Sequence, residues 1–197
     1  ILAEESGKKP ISEISEEHIR WIIDPLDGTT NFAHGFPFFS VSIGIEKDGE
    51  MIGGIVYIPI SKELFHAGKY MGAFLNGRKI SVSDAENLDK SLLATGFPGE
   101  HREINLPYFE NFLFKTQAMR RTGSAAIDLC YTACGRLDGF WELGLHSWDI
   151  VAGALIVEEA GGRVTNMDGT ALKLDGANIL ATNGKIHEEM LSEIDAA

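Results

Sequence analysis

The sequence predicts a layered α/β or α+β fold, with an antiparallel sheet first and then helices interleaved with short strands. Two patterns carry that expectation. Up to about Ile80 the apolar runs are short and are broken by the turn pairs Asp48-Gly49 and Asn76-Gly77, which favour hairpins. From Leu92 onward, strand-length apolar runs alternate with segments of helical periodicity. With 197 residues, 44% hydrophobic and 23% charged, the chain has globular composition and can bury a sizeable core without staples.

The elements follow in order. Ile1-Leu2-Ala3 reads as the end of a buried strand, and Ile1 is no initiator methionine, so natural sequence is expected upstream. Ser6 to Glu17 is polar, with Gly7 and Pro10, and reads as a mobile loop. Ile19 to Asp24 is an apolar strand that Pro25 is expected to end, having no N–H for a ladder. Phe39 to Glu46 and Met51 to Ile58 make a hairpin, and Glu63 to Ala67 and Gly72 to Leu75 continue the meander. Leu92 to Thr95 is a strand. Pro107 to Ala118 has helical periodicity, with Phe109, Phe112 and Leu113 on one face. Ser124 to Cys134 is a helix with Ser124 as its cap and Gly135 at its end. Asp138 to Leu143 is a strand, and Asp149 to Ala160 is a helix closed by Gly161-Gly162. Arg163 to Thr165 and Ile179 to Ala181 are short strands, and Ile186 to Ile194 is a last helix. The chain divides into an N-terminal lobe, 1–118, and a C-terminal α/β lobe, 119–197, packed as one unit.

Composition excludes several functions. The net charge is -12, and no Lys/Arg cluster exceeds Lys8-Lys9 and Arg120-Arg121, so direct nucleic-acid binding is not expected. No apolar run approaches the roughly 18 residues of a membrane span, and no secretory signal is visible. Cys130 and Cys134 are four apart on one helix face and read as reduced core thiols of a cytoplasmic protein. No Cys/His set has zinc spacing, and no G-x-S-x-G is present. The six histidines are scattered and read as surface or packing residues. Trp21, Trp141 and Trp148 read as core.

The strongest local signal is Asp24-Pro25-Leu26-Asp27-Gly28-Thr29-Thr30-Asn31-Phe32. Two carboxylates flanking a proline-forced turn converge on one point, and carboxylate oxygens suit Mg²⁺. The Leu26 carbonyl lies between them as a third ligand. Gly28-Thr29-Thr30 offers N–H groups at a helix or turn start, where anions bind. A second signal is Ser147-Trp148-Asp149-Ile150, where Asp149 opens a helix, a place the helix dipole alone explains as well as a ligand role does. A third is Ala3-Glu4-Glu5-Ser6, which in isolation is a solvated acidic loop.

Together these segments resemble the inositol monophosphatase family. Its first motif is similar to Asp24 to Phe32, its second to Trp148 to Gly162 including Glu159-Ala160-Gly161-Gly162, and its acidic pair to Glu4-Glu5. Gly123-Ser124-Ala125-Ala126 and Trp141-Glu142-Leu143-Gly144 fall where that family places substrate contacts. The resemblance implies a stacked α/β/α/β/α fold whose N-terminal helices are missing here, a homodimer, two or three Mg²⁺ ions per site and inhibition by Li⁺. It further implies that Glu4, Asp24 and the Leu26 carbonyl bind one ion, and Asp24, Asp27 and Asp149 a second. Gly28 and Thr29 N–H groups would hold phosphate, with the Thr29 hydroxyl orienting the attacking water. Gly123, Ser124, Ala125, Glu142 and Asp149 would contact the substrate's hydroxyls, although Glu142 alone reads equally as a strand-end surface acid.

The charge count agrees with that scheme. Glu4, Asp24, Asp27 and Asp149 carry four negative charges, which repel a phosphate dianion until two Mg²⁺ ions cancel them. The expected reaction is direct hydrolysis of a small-molecule phosphate monoester by metal-activated water, with inositol-1-phosphate first. Fructose-1,6-bisphosphatase, histidinol phosphatase and nucleotide 3'-phosphatase activities are rivals. A reading of a different class is a non-catalytic binding partner in a transcription complex.

Overall fold

The computed structural model describes residues 1–4, 7–8, 19–99, 101–174 and 177–197. The first half forms β1 (Leu2–Ala3), β2 (Gly7–Lys8), β3 (Ile19–Asp27), α1 (Thr29–Ala33), β4 (Ser40–Lys47), β5 (Glu50–Ile58), β6 (Glu63–Gly68), β7 (Gly72–Leu75) and β8 (Arg78–Lys79). The second half forms β9 (Leu92–Thr95), α2 (Leu106–Leu113), β10 (Ala118–Arg120), α3 (Ala125–Ala133), β11 (Gly139–Leu145), α4 (Ser147–Glu159), β12 (Arg163–Asn166), β13 (Ala177–Thr182) and α5 (His187–Asp195). Among the described residues, eight strands form one sheet in the order β2-β1-β3-β4-β5-β6-β7-β8, and five form a second in the order β10-β9-β11-β13-β12.

The meander from β3 to β8 is antiparallel throughout, as the turn pairs require. Asp48 and Asn76 adopt positive φ, followed by Gly49 and Gly77 at positive φ, the conformation of tight hairpin turns. Three expectations are corrected. Pro25 does not end its strand, because the β3–β4 register shifts between Asp24 and Asp27 and the proline falls in that bulge, where no ladder N–H is needed. Gly7–Lys8, expected in a loop, pairs antiparallel with β1; Glu5 and most of the remaining 6–17 stretch lie outside the described residues. The helix expected to run from Pro107 to Ala118 ends at Leu113. There the Thr116 hydroxyl donates to the Phe112 carbonyl, and Ala118 to Arg120 leave to pair in parallel with β9.

α3 and α4 pack on each other between the sheets. α4 is apolar on nearly every face, as a helix between two sheets must be. The two helices approach so closely that a methyl at Gly153 would sit 2.6 Å from the Leu129 Cβ. Ile22, Val56, Phe65, Leu129, Ile150, Ile156 and Phe140 fill this central layer. Trp141, Phe112, Met190 and Ile194 fill a second core beneath α2 and α5, on the far face of the smaller sheet. The layering is thus sheet, helices, sheet, helices; no helix covers the outer face of the larger sheet among the described residues. Trp21, expected in the core, lies 43% exposed on that outer face, because strand alternation gives the inward direction to Ile22 and Asp24. Trp141 is fully buried, and Cys130 and Cys134 are free thiols on α3 and at its end. No described helix is long and apolar enough to cross a membrane.

Candidate metal centre and phosphate site

The bulge in β3 decides the site. In a regular strand, residues three apart point to opposite faces. One extra residue between Asp24 and Asp27 turns both to the inner face, opposite Ser42 and Ser40 of β4. Both are buried, at 2% and 7% exposure. The Asp24 Oδ1 accepts the Leu26 N–H at 2.9 Å, which closes the turn over Pro25. Three donors fix Asp27 through one oxygen: its Oδ2 accepts the Ser124 hydroxyl, the Ser40 hydroxyl at 3.2 Å and the Ala126 N–H at 3.2 Å.

Asp149 arrives from the other side, in the first turn of α4. Its Oδ2 accepts the His146 N–H at 2.8 Å, and the His146 ring stacks on Trp148. The α4 start is tied to the sheet where the Ser42 hydroxyl donates to the Trp148 carbonyl at 3.3 Å. One ligand oxygen from each of Asp24, Asp27 and Asp149 then lies within 4.8 Å of the others. Glu4 is exposed, just beyond β1, and stands outside that trio. Its charge nevertheless acts on both Asp24 and Asp149.

The electrostatics are those of crowded acids. Burial, with Asp27 and Glu4 adding repulsion, pushes Asp24 up to about 8 against the lowering effect of the Leu26 N–H. Burial raises Asp27 to about 6 against its hydroxyl donors, and raises Asp149 to about 6. Glu142, on β11, is raised to about 8 by burial and by the charges of Asp27 and Asp149, so it faces the same cleft. Among the described residues no Lys or Arg forms a salt bridge with Asp24, Asp27 or Asp149. Hard carboxylate oxygens, two of them buried and one half-buried, crowded and without a Lys or Arg ion pair among the described residues, are a donor set that fits Mg²⁺.

The residues around the trio are held by α1 and α3. Gly28 has φ +86, and a Cβ there would lie 2.8 Å from the Phe38 carbonyl, so only glycine fits. The Thr29 hydroxyl donates to the Leu26 carbonyl at 3.0 Å. Ser124 caps α3, its Oγ accepting the Ile127 N–H at 3.3 Å while it donates to Asp27. Gly123 and Ala125 flank it, so Gly123 to Ala125 lie beside Asp27.

Sequence reasoning missed the residue that joins these parts. The Asn31 amide donates to the Phe38 carbonyl at 2.7 Å, the Thr122 carbonyl at 2.8 Å and the Gly123 carbonyl at 3.4 Å. It thereby locks the loop before α3 to α1. Ser40 and Ser42 were also passed over. For these serines the alternation of β4 was the available signal, since it puts a polar hydroxyl on the buried face. Asn31 stands within the Asp24 to Phe32 motif, but two of its three acceptors, the Thr122 and Gly123 carbonyls, are 91 and 92 residues away, so its joining role had no local signal.

Two cavities lie near the smaller sheet. One of about 970 Å³, lined by Tyr108, Asp168, Lys173 and Leu191 among others, contains none of these acids. A second, of about 500 Å³, is lined by Thr30, Phe97, Arg102, Leu106 and Arg121 and adjoins the site.

A sequence profile described as the inositol monophosphatase family matches residues 1–197. The chain is 50% identical over 199 residues to an inositol-1-monophosphatase of Synechocystis sp., covering 100% of this chain and 68% of that protein. It is 44% identical over 197 residues to the Nus factor SuhB of Escherichia coli K12, covering 98% of this chain and 73% of that one. The solved structure of an inositol monophosphatase from Anabaena (Nostoc) sp. superposes with a TM-score of 0.93 at 48% identity, covering 100% of this chain and 78% of the other.

Proposed function

Since the chain belongs to the inositol monophosphatase family and is a phosphoric monoester hydrolase, we propose that it hydrolyses inositol-1-phosphate or a closely similar polyol phosphate, with Mg²⁺ as activator. The observation that carries this reading is the convergence of Asp24 and Asp27, both buried, with the half-buried Asp149, one ligand oxygen of each lying within 4.8 Å of the others. Asp24, Asp27, Asp149, the Leu26 carbonyl and Glu4 at the rim would hold the ions. When bound, Mg²⁺ cancels the acids' charge and activates a water for attack on phosphorus.

The chain's own groups orient the reactants. The Thr29 hydroxyl spends its single proton on the Leu26 carbonyl, so toward a water it acts only as an acceptor. It therefore aligns that water by accepting a hydrogen bond from it. The N–H groups of Gly28, the N-cap of α1, and of Thr29, its first residue, have no partner within the helix and hold the phosphate oxygens. The Ser124 hydroxyl is committed to Asp27, which leaves the backbone of Gly123 to Ala125, with Glu142 and Asp149, to contact the polyol hydroxyls. In-line displacement of this kind depends on positioning more than on a strong base.

The test is release of inorganic phosphate from a panel containing inositol-1-phosphate, fructose-1,6-bisphosphate, histidinol phosphate and adenosine 3',5'-bisphosphate, with and without Mg²⁺. Mg²⁺-dependent turnover highest on inositol-1-phosphate is expected, and Asp149→Asn should lower it at least about a hundredfold with the fold retained by circular dichroism. Phosphate release that persists in EDTA, or that survives Asp149→Asn, would sink the reading. A second reading, a binding partner in a transcription complex, is favoured by the relative named Nus factor SuhB. It predicts that a cellular effect of the protein survives Asp149→Asn; loss of that effect with catalysis removes it.

A further inference from the structure

Glu142 is half-buried, and among the described residues no hydrogen bond aims its carboxylate. The charges of Asp27 and Asp149 repel it, and that of Arg121 attracts it. What fixes it is the backbone beneath. β9 and β11 pair in parallel up to Thr95 and Trp141, and the ladder stops there. On the other edge of β11, the pairing with β13 shifts register directly after Glu142. Glu142 therefore sits in a fork, where the sheet lets go of its strand on both sides. Alternation sends Trp141 into the core beneath α2 and α5 and Glu142 to the opposite face, with the acids. Its carboxylate lies against the backbone of Gly96, the first residue past β9, where an added Cβ would overlap it.

One buried side chain closes that fork. Asn105 is fully buried, and its amide donates to the Gly96 carbonyl at 2.6 Å and to the Thr95 hydroxyl at 3.0 Å. Its oxygen accepts the Trp141 indole N–H at 2.8 Å. The Thr95 hydroxyl in turn donates to the Trp141 carbonyl at 2.7 Å. Side chains thus supply the rung that the backbone ladder lacks, and both N–H groups and the oxygen of the amide are satisfied. A commoner role was open to this residue. Asn105 stands at the N-cap of α2, where an asparagine oxygen usually accepts a helix N–H. It makes no such bond. Its amide is committed instead to the backbone on which Glu142 rests.

We propose that Asn105 is a positioning residue for the reaction: by tying Gly96 to Trp141 it sets the seat of the Glu142 carboxylate, and with it the recognition of the polyol hydroxyls. The inference rests on the phosphatase reading and deepens it. Asn105 touches neither ester nor ion. It decides whether Glu142 meets the hydroxyls at hydrogen-bond distance or swings into the space that a relaxed fork opens.

Two esters separate positioning from folding: inositol-1-phosphate, which carries polyol hydroxyls, and p-nitrophenyl phosphate, which carries none. The readout is the ratio of their kcat/KM values with Mg²⁺, since loss of folded protein lowers both alike and leaves the ratio unchanged. Asn105→Ala should lower the ratio at least about tenfold. Glu142→Gln should lower it too, and Asn105→Ala added to that variant should lower it no further. A ratio within about twofold of wild type in Asn105→Ala overturns the proposal, and so does a fall that adds to that of Glu142→Gln. Should Asn105→Ala not fold, Trp141→Phe, which removes one N–H and keeps an aromatic ring, takes its place under the same criteria. Should the wild type turn over neither ester, or Glu142→Gln leave the ratio unchanged, the hydrolase reading or its polyol contact fails separately. A crystal structure of the folded variant then decides the positioning. A Glu142 carboxylate moved off Gly96 supports it, and one left in place overturns it.

Discussion

At the scale of single residues, the site depends on how Asp27 is held. Its Oδ2 takes two hydroxyls and one N–H, and the Ser124 hydroxyl does two tasks at once, capping α3 and fixing that oxygen. Removing it should therefore be felt twice. Ser124→Ala is expected to cost about 1 kcal/mol of stability as a lost N-cap and to weaken Mg²⁺ affinity about 10–100-fold as a lost partner of a ligand. Denaturant unfolding and Mg²⁺-dependent phosphate release measure the two effects. A variant that loses stability but keeps wild-type Mg²⁺ dependence would show that Ser124 serves the helix alone. The acids themselves were legible because Asp24 to Asn31 packs ligand chemistry into one short segment. The partner of Asp27 was not, since Ser124 is 97 residues away and its spacing already had a complete explanation as a helix cap. The joining role of Asn31 was hidden for the same reason, two of its three acceptors being backbone carbonyls contributed by a distant loop.

At the scale of elements, the hairpins and α3 to α5 were legible from turn pairs, caps and period. The parallel strand β10 was not, because three residues, Ala118 to Arg120, are too few to show a period and follow directly on a helical one. α5 carries a further consequence at its start. His187 is fully buried, with one ring nitrogen 3.0 Å from the Thr165 hydroxyl and the other 2.9 Å from the Thr182 hydroxyl. Burial, aided by Arg163, lowers it from 6.5 to about 4. The unfolded chain then binds more protons than the folded one between those values, so stability is complete above about pH 6.5 and falls as pH drops toward 4. The loss amounts to about 3 kcal/mol at most. Urea unfolding at saturating Mg²⁺ should show it, and His187→Gln, which keeps a donor and an acceptor between β12 and β13, should flatten the slope. An unchanged slope in that variant would assign the acid sensitivity elsewhere.

At the scale of the whole molecule, the two sheets and the helices between them bring Asp24, Asp27 and Asp149 together against their mutual repulsion, and the fold bears that cost. All three acids are raised, to about 8 and about 6 and 6, above the ordinary 3.8. Without metal the folded chain thus holds more protons than the unfolded one from about pH 4 up to about pH 8. By linkage its stability declines as pH rises through that window, the reverse of the His187 effect. Mg²⁺ binds the deprotonated acids and so competes with those protons. It should bind more tightly at pH 8.5 than at pH 6, and its stabilising effect should grow in the same direction, reaching about 2.7 kcal/mol where free Mg²⁺ is a hundredfold above its Kd. Thermal unfolding at the two pH values, with EDTA or with one fixed Mg²⁺ concentration, gives the comparison. The increase in Tm should be larger at pH 8.5 and should shrink in Asp149→Asn, which removes one of the three charges. An equal or larger increase at pH 6 would mean that the ion stabilises the chain somewhere other than at these acids, and that their convergence serves packing rather than cation binding.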